Sequence, residues 1–239
     1  MASDFFLTAP VLSNAAVPVR VKAGLSALLA LILAPFLMQQ ELLFDPNNMW
    51  ALALALLQEI GLGVFIGLLA QLVFVAAQFA GQVVGLQMGL GMASVFDPHT
   101  RASVGITSQI YMYLAIMVFL LADGHHWLLI ALQRSFAAVP LGTFTLDGQA
   151  MAILLTAAND LFWVALMLMA PVLGILVLSE VAMGIVARIM PQMNVFVASF
   201  PVKIALGIFG MTVSMPLMAS YMGVTMEHTF MGILRYLTP

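Results

Sequence analysis

A run of 37 residues without a charged side chain, from Ile60 to Phe96, constrains this chain more than any other feature. A transmembrane helix needs about 20 apolar residues at a rise of about 1.5 Å per residue, so the run is nearly twice one membrane crossing. One straight spanning helix cannot account for it. The sequence therefore predicts that the chain bends back within the apolar region, or that the deeper end of the helix is buried in protein.

The composition agrees with a membrane protein. Hydrophobic residues make up 64% of the chain and charged residues only 7%, whereas soluble proteins carry about 25% charged residues. The net charge of -3, with no basic run, argues against binding to DNA or RNA. The sequence predicts an all-α integral membrane protein of long, kinked apolar helices arranged as hairpins, in a single domain over residues 1–239.

Polar breaks divide the chain into apolar helical blocks. We predict helices over 23–38, from 60 onwards, 102–122, 161–179 and 204–226, and breaks at 39–48, 97–101, 123–126, 134–149 and 188–194, of which 134–149 is the longest loop. Residues 1–134 are predicted as N-terminal hairpins and residues 149–239 as a C-terminal hairpin region. The cations are scattered almost one per loop, so the positive-inside rule leaves the topology open.

Small residues recur every four positions in the longest block, at Ala77, Gly81, Gly85, Gly89 and Ala93. Such a groove is typical of membrane helices that approach each other closely. A stripe of amides runs beside it, at Gln71, Gln78 and Gln82. We predict that this surface packs against another helix, either within this chain or in another subunit.

The longest block is predicted to stop at Phe96-Asp97-Pro98, because a residue before proline is driven out of the helical region. Asp97 and Pro98 also suit the start of the next helix, where Arg101 lies one turn further on and can pair with Asp97. Met88 and Met92 share one helical face beside this break. Methionine is flexible and polarisable, so it suits surfaces that adapt to different partners.

A longer methionine stripe lies on one face of the last predicted helix, at Met211, Met215, Met218, Met222 and Met226. Spacings of three and four place these side chains on one face of a helix. A stripe of this kind is typical of a core-facing or lipid-facing surface, and we favour that interpretation here.

Four ionisable residues lie in or beside apolar blocks: Glu59, Asp160, Glu180 and Lys203. Charges at membrane depth are costly and often mark transport paths or pairs between helices. Each of the four also lies at the edge of a block, where reaching the membrane interface or capping a helix explains it. The alternative function is therefore a small-solute or proton-coupled transporter that uses these four residues.

Enzyme motifs are absent from the sequence, which has no nucleophile elbow, P-loop or zinc-protease motif. Without cysteine, thiol catalysis is excluded. His125 and His126 follow Asp123 at a polar hairpin tip, and the sequence places no further cluster of ligands to complete a metal site. The sequence predicts a non-enzymatic protein with no cofactor and no metal.

Four motifs in this order resemble the R-subunit family of the bacterial flagellar export gate, which includes the equivalent injectisome subunit. They are residues 5–10 with 17–22, residues 85–90 running into Asp97-Pro98, residues 123–128, and a C-terminal signature that contains Arg188, Pro191, Gln192, Asn194 and Pro201. The resemblance covers essentially the whole chain. The family normally has further apolar residues before Phe5, so the first helix is expected to be cut short here, and asparagine is familiar in place of Asp123.

The resemblance implies a gate subunit for the export of unfolded flagellar proteins in the bacterial inner membrane, within the flagellar basal body. It implies that one R subunit assembles with five P and four Q subunits, next to the export switch B subunit. It also implies that the loop over residues 91–104 plugs the closed pore, with Met92, Phe96 and Asp97-Pro98 at its core and Met88 and Arg101 beside it. A pore for many different chains needs an apolar, deformable seal, which methionine and phenylalanine provide.

Overall fold

The structure, a computed structural model, describes residues 18–37, 48–90, 105–146 and 148–237. Within these ranges the chain forms six helices and no strand: α1 Val19–Leu37, α2 Met49–Gln87, α3 Ile106–Leu121, α4 Gly124–Ala138, α5 Gly148–Ile189 and α6 Val195–Leu237. The predicted all-α fold of long helices is confirmed.

Three helices are long and apolar enough to cross a membrane: Met49–Gln87, Gly148–Ile189 and the Val195–Thr229 part of α6. Helices α3 and α4 meet the same criterion only together, as a bent pair. The bend falls at Asp123, whose φ of 53° is left-handed and interrupts the helix. The described part of the chain thus offers three candidate spans, or four if the bent pair counts as one.

Helix α2 runs unbroken for 39 residues, which is about 58 Å. Asn48 begins it, because its side-chain oxygen accepts the Trp50 N–H at 3.1 Å. Of its most apolar stretch 61% is buried, against 28% in α5 and 11% in α6. Of the two explanations for the long uncharged run, burial in protein therefore applies to α2, and bending back does not occur before Gln87.

Helix α2 ends at Gln87 rather than at Phe96, where the sequence analysis placed the stop. Gly89 has a φ of 84°, and its N–H donates to the Leu86 carbonyl at 3.0 Å. The Leu90 N–H donates to the Gly85 carbonyl at 3.0 Å. These two bonds around a left-handed glycine form a Schellman motif, which ends the helix.

Several other predicted boundaries were wrong. Arg134 lies inside α4, which continues to Ala138, so the loop begins five residues later than predicted. Helix α5 begins at Gly148 and passes through Asn159, Asp160 and Glu180 without interruption. The three polar residues are exposed, and a helix tolerates exposed polar residues because each costs less than about 0.7 kcal/mol in helix propensity.

Helix α4 occupies residues 124–138, where no helix was predicted, and α6 begins nine residues before the predicted 204–226. The break around residues 190–194 separates α5 from α6, and Asn194 starts α6 by accepting the Val197 N–H on its side-chain oxygen at 3.3 Å. Helix α6 continues through Pro201 and Pro216.

The contacts divide the chain into two compact units. Unit 1 comprises residues 1–73, 119–159 and 225–239, and unit 2 comprises residues 74–118 and 160–224. In unit 1 the loop after α4 covers α2, since the Phe144 ring lies 6.0 Å from the Phe65 ring and 3.6 Å from the position of a Cβ on Gly61. In unit 2 the end of α2 packs with the start of α3 and with parts of α5 and α6. The single-domain organisation stays a prediction.

Candidate functional site

The glycine groove of α2 faces the first turn of α3 within unit 2. A Cβ added at Gly81 would lie 2.7 Å from both the Thr107 carbonyl oxygen and the Ser108 Cα, and one added at Gly85 would overlap the Thr107 hydroxyl. The Ser108 hydroxyl donates to the Gln78 carbonyl at 3.2 Å, on the same contact. Backbones this close need glycine, so the described groove packs inside this chain.

Gly89 contacts α6 instead of α3. A Cβ on it would lie 2.6 Å from the Phe200 ring, and the left-handed φ disfavours any other residue. Gly89 is thus the glycine that ends α2 and not a third member of the contact with α3. Contact of Gly81, Gly85 and Gly89 with another subunit stays a prediction.

Met88 is buried against Gly207 of α6, where an added Cβ would lie 2.6 Å from the Met88 sulfur. The absence of a side chain at Gly207 makes the room for Met88. Sequence analysis missed Gly207 and Phe200 as partners, because neither has a local signal that points to α2.

Gln87, the last residue of α2, reaches α5. Its side-chain amide donates to Glu180 Oε1 at 3.1 Å, and Lys203 Nζ of α6 donates to the same oxygen at 2.6 Å. The Lys203 side chain is 18% exposed and that of Glu180 is 42% exposed. One carboxylate therefore joins three helices, α2, α5 and α6.

The amide stripe beside the groove is exposed, in contrast to the groove itself. Gln71, Gln78 and Gln82 all point away from the described packing, whereas Gly81 and Gly85 are buried. Unpaired amides are costly in lipid, so these side chains suit a water-lined path or a partner subunit.

A cavity of about 360 Å³ opens between α3 and α6 in unit 2. Its walls include Met88 and Leu90 from the end of α2, and Met211, Met215 and Met218 from the methionine stripe. The buried hydroxyls of Thr107 and Tyr111 also line it, and among the described residues neither has a hydrogen-bond partner. Met218, Met222 and Met226 are buried, so this part of the stripe is core.

The four ionisable residues of the transporter hypothesis belong to different units, each with its own contacts. Glu180 pairs with Lys203 in unit 2, and Asp160 is exposed on α5. Glu59 belongs to unit 1, where its carboxylate accepts the Gly142 N–H at 3.3 Å. No metal-ligand cluster of three His, Cys, Asp or Glu side chains occurs among the residues that the structure describes.

The C-terminal signature lies at the turn between α5 and α6 and in the first turns of α6. Arg188, Pro191, Gln192, Asn194 and Pro201 are all exposed there. Asn194 caps α6, and the others make no described contact that assigns them a role.

The remaining predicted gate residues lie outside the described residues: Met92, Phe96, Asp97, Pro98 and Arg101. The motif at residues 5–10 also lies there. The described structure gives only the two attachment points of residues 91–104, which are Leu90 and Gly105.

Comparison with known proteins identifies the family. The model of the family "Bacterial export proteins, family 1" matches residues 2–229. The flagellar biosynthetic protein FliR of Escherichia coli (strain K12) is 36% identical over 230 residues, which cover 96% of this chain and 85% of that protein. The FliR proteins of Pectobacterium carotovorum and Bacillus subtilis (strain 168) are 35% and 32% identical, over 93% and 89% of this chain and 83% and 82% of the relatives. The chain therefore belongs to family 1 of the bacterial export proteins, a non-enzymatic family of membrane proteins of the flagellar export apparatus.

Proposed function

We propose that this chain is a gate subunit of the flagellar export pore and that residues 91–104 plug the pore when it is closed. The observation that carries the proposal is the close contact between α2 and α3. Since Gly81 and Gly85 lie against Thr107 and Ser108, the chain leaves α2 and returns to α3 at nearly the same place. The 14 residues between are therefore attached at both ends to a rigid base, which is what a displaceable plug requires.

The chemistry of residues 91–104 supports the same role. Met92 and Phe96 supply deformable apolar groups, and Gly91 supplies backbone freedom. A hydrophobic constriction of this kind excludes ions by dewetting while it still yields to an entering chain. Asp97, Pro98 and Arg101 would shape the return of the loop into α3.

The proposed surroundings are the bacterial inner membrane within the flagellar basal body. There one copy of this chain would assemble with five P and four Q subunits and contact the export switch B subunit, and unfolded flagellar proteins would pass through the pore. The low burial of α6 and the exposed Gln78 and Gln82 support such an assembly, because both leave surface for other subunits.

The test is ion conduction by the complex purified from membranes and reconstituted in planar bilayers. Replacing residues 91–104 by a glycine–serine segment of equal length keeps the connection between α2 and α3 but removes its apolar side chains. We expect the replaced complex to conduct ions at rest and the intact complex to conduct few. Equal conduction by both would reject the plug.

A matched control is the double variant His125→Ser, His126→Ser, which alters two exposed side chains in the first turn of α4 and should conduct as the wild type does. A pull-down from native membranes separates this proposal from the transporter alternative. Several distinct small hydrophobic partners agree with the export gate, and recovery of this chain alone agrees with the transporter.

A further inference from the structure

The cavity between α3 and α6 has a buried wall and an exposed rim, both within unit 2. Met88, Leu114 and Met218 belong to the buried wall, where none of them is more than 9% exposed. Ile110 and Ile208 belong to the rim and are 44% and 57% exposed. The cavity therefore opens on an apolar surface of two helices and ends in the interior of the unit.

The lining of the cavity decides which kind of molecule fits. None of the described residues around it is charged, so a phosphate group, a metal ion or an ionised peptide side chain finds no partner there. The volume of about 360 Å³ lies near the lower end of the range for ligand sites, roughly 300–1,000 Å³. Methionine side chains in the wall can adapt to a flexible guest. The cavity therefore suits one apolar chain and not a whole lipid.

One polar group of the wall lacks a partner. The hydroxyl of Tyr111 is buried and has no hydrogen-bond partner among the described residues. The hydroxyl of Thr107 shares this property, but it lies against Gly85 in the groove between α2 and α3. Leaving a buried hydroxyl unpaired is costly, and buried tyrosines usually find a partner. A molecule that brings one hydrogen-bond acceptor to Tyr111 removes this cost.

The surroundings of the rim favour lipid over water as the source of that acceptor. A buried water typically makes about three hydrogen bonds, and this almost wholly apolar lining offers too few polar groups for them. Helix α6 contains a candidate membrane span, and its most apolar stretch is only 11% buried. Acyl chains of the bilayer are therefore the molecules at hand beside the rim.

We propose that this cavity binds one acyl chain of a membrane phospholipid, whose ester carbonyl accepts a hydrogen bond from the Tyr111 hydroxyl. The chain fills the space between α3 and α6, and the charged head group stays outside because the lining has no charge to receive it. The bound chain contacts both helices and stabilises their arrangement. The site is built from described residues alone, and it stands whether or not residues 91–104 plug a pore.

Photolabelling of the complex purified from membranes tests the site. The probe is a phosphatidylethanolamine with a diazirine at the end of one acyl chain, and the labelled residues are mapped by mass spectrometry. We expect label on the buried wall, at Met88, Leu114 or Met218, which lipid that merely surrounds the protein does not reach. Label confined to exposed residues would overturn the proposal, whether water or another subunit fills the cavity instead.

Competition by unlabelled lipids tests the hydrogen bond. The competitors are a diester phosphatidylethanolamine and its diether analogue, which has the same chains but no carbonyl groups. In the wild type we expect the diether to compete about fivefold less well, the effect of one neutral hydrogen bond. In Tyr111→Phe the two lipids should compete equally, which loss of packing alone would not produce.

Tyr113→Phe is the matched control, because Tyr113 is exposed on the same helix and does not line the cavity. It should keep the preference of the wild type for the diester. A preference that persists in Tyr111→Phe, or that is missing in the wild type, would overturn the proposal. The comparison of the two lipids in the wild type needs no substitution, so it holds even if a variant assembles poorly.

A filled cavity gives an independent test. Thr212→Trp places a large ring on a lining position of α6, and we expect the label on the buried wall to be lost, because a close-packed space does not admit both groups. Thr156→Trp on α5 is the matched control. Thr156 is also exposed, and its hydroxyl likewise donates to the carbonyl four residues earlier, but it does not line the cavity. Equal labelling of the buried wall in the two variants would overturn the proposal.

Discussion

The two ends of α2 are held in different ways. Near its start, in unit 1, Glu59 and the Phe65 face contact a loop, through one backbone N–H of Gly142 and the ring of Phe144. Near its end, in unit 2, the helix contacts other helices through glycines and through the carboxylate of Glu180. The ring of Phe144 on a loop can shift to follow small movements of the helix. Backbone contact and a shared carboxylate instead fix both the distance and the direction of the neighbouring helices. The fixed end is the one from which residues 91–104 emerge.

The largest expected effect tests the fixed end. Gly81→Leu inserts a side chain where even a Cβ meets backbone atoms at 2.7 Å, so α2 and α3 must separate. We expect little assembled complex in membranes. Gly174→Leu on α5 is the matched control, since an added Cβ there meets nothing within 4 Å, and it should assemble normally. Normal assembly of Gly81→Leu would show that the groove does not set the distance between the helices.

The next effect tests the start of α2. Phe144→Ala removes a buried ring that covers Gly61 and Phe65, and such a truncation costs roughly 3 kcal/mol. The purified complex should lose its native state at a temperature several degrees lower. Phe144→Leu should recover most of the loss, and a null effect of Phe144→Ala would mean that the loop does not contribute to holding this end.

A smaller effect is expected from Lys203→Met, which leaves Glu180 without its cation but keeps an apolar stem of similar length. Losing one hydrogen bond to a charged group costs about 2 kcal/mol. Lys203→Arg keeps the charge and should retain most of the thermal stability that Lys203→Met loses. If Lys203→Met lowered the melting temperature more than Phe144→Ala does, the charged contact would be the stronger of the two.

The smallest effect is expected from Glu59→Gln. The amide oxygen can still accept the Gly142 N–H, and the original bond is long at 3.3 Å, so the change should stay within about 1 kcal/mol. The thermal stability of the complex measures this as well. A loss as large as that of Lys203→Met would show that Glu59 needs its charge, and the contrast between the two carboxylates would disappear.

Sequence patterns identified five of the six described helices, but missed α4 and several of the helix ends. Pro191 among polar residues marked the break at residues 190–194 correctly, because proline removes a helical hydrogen bond. Asn159 and Asp160 misled the analysis, since exposed polar side chains do not interrupt a helix. Gly89 was assigned to a groove by its spacing, although the left-handed backbone that ends α2 gave it a different role.

Only part of the candidate site could be predicted from the sequence, for a similar reason. Spacing identified Gly81 and Gly85 as a close-packing surface, because the pattern lies within one helix. The other contacts of the site are set by the tertiary fold. Gln87 and Glu180, for example, are 93 residues apart, and no local pattern joins them. Likewise, nothing near Gly142 in the sequence indicates that its N–H faces Glu59.

The two prolines inside α6 have a mechanical consequence. Each lacks an N–H, so the carbonyl four residues earlier loses its helical partner, at Val197 and at Thr212. A 43-residue helix with two such interruptions bends at less energetic cost than α2, which has no proline along its length. Helix α6 can thus bend at two points along its length, whereas α2 has no such weak point.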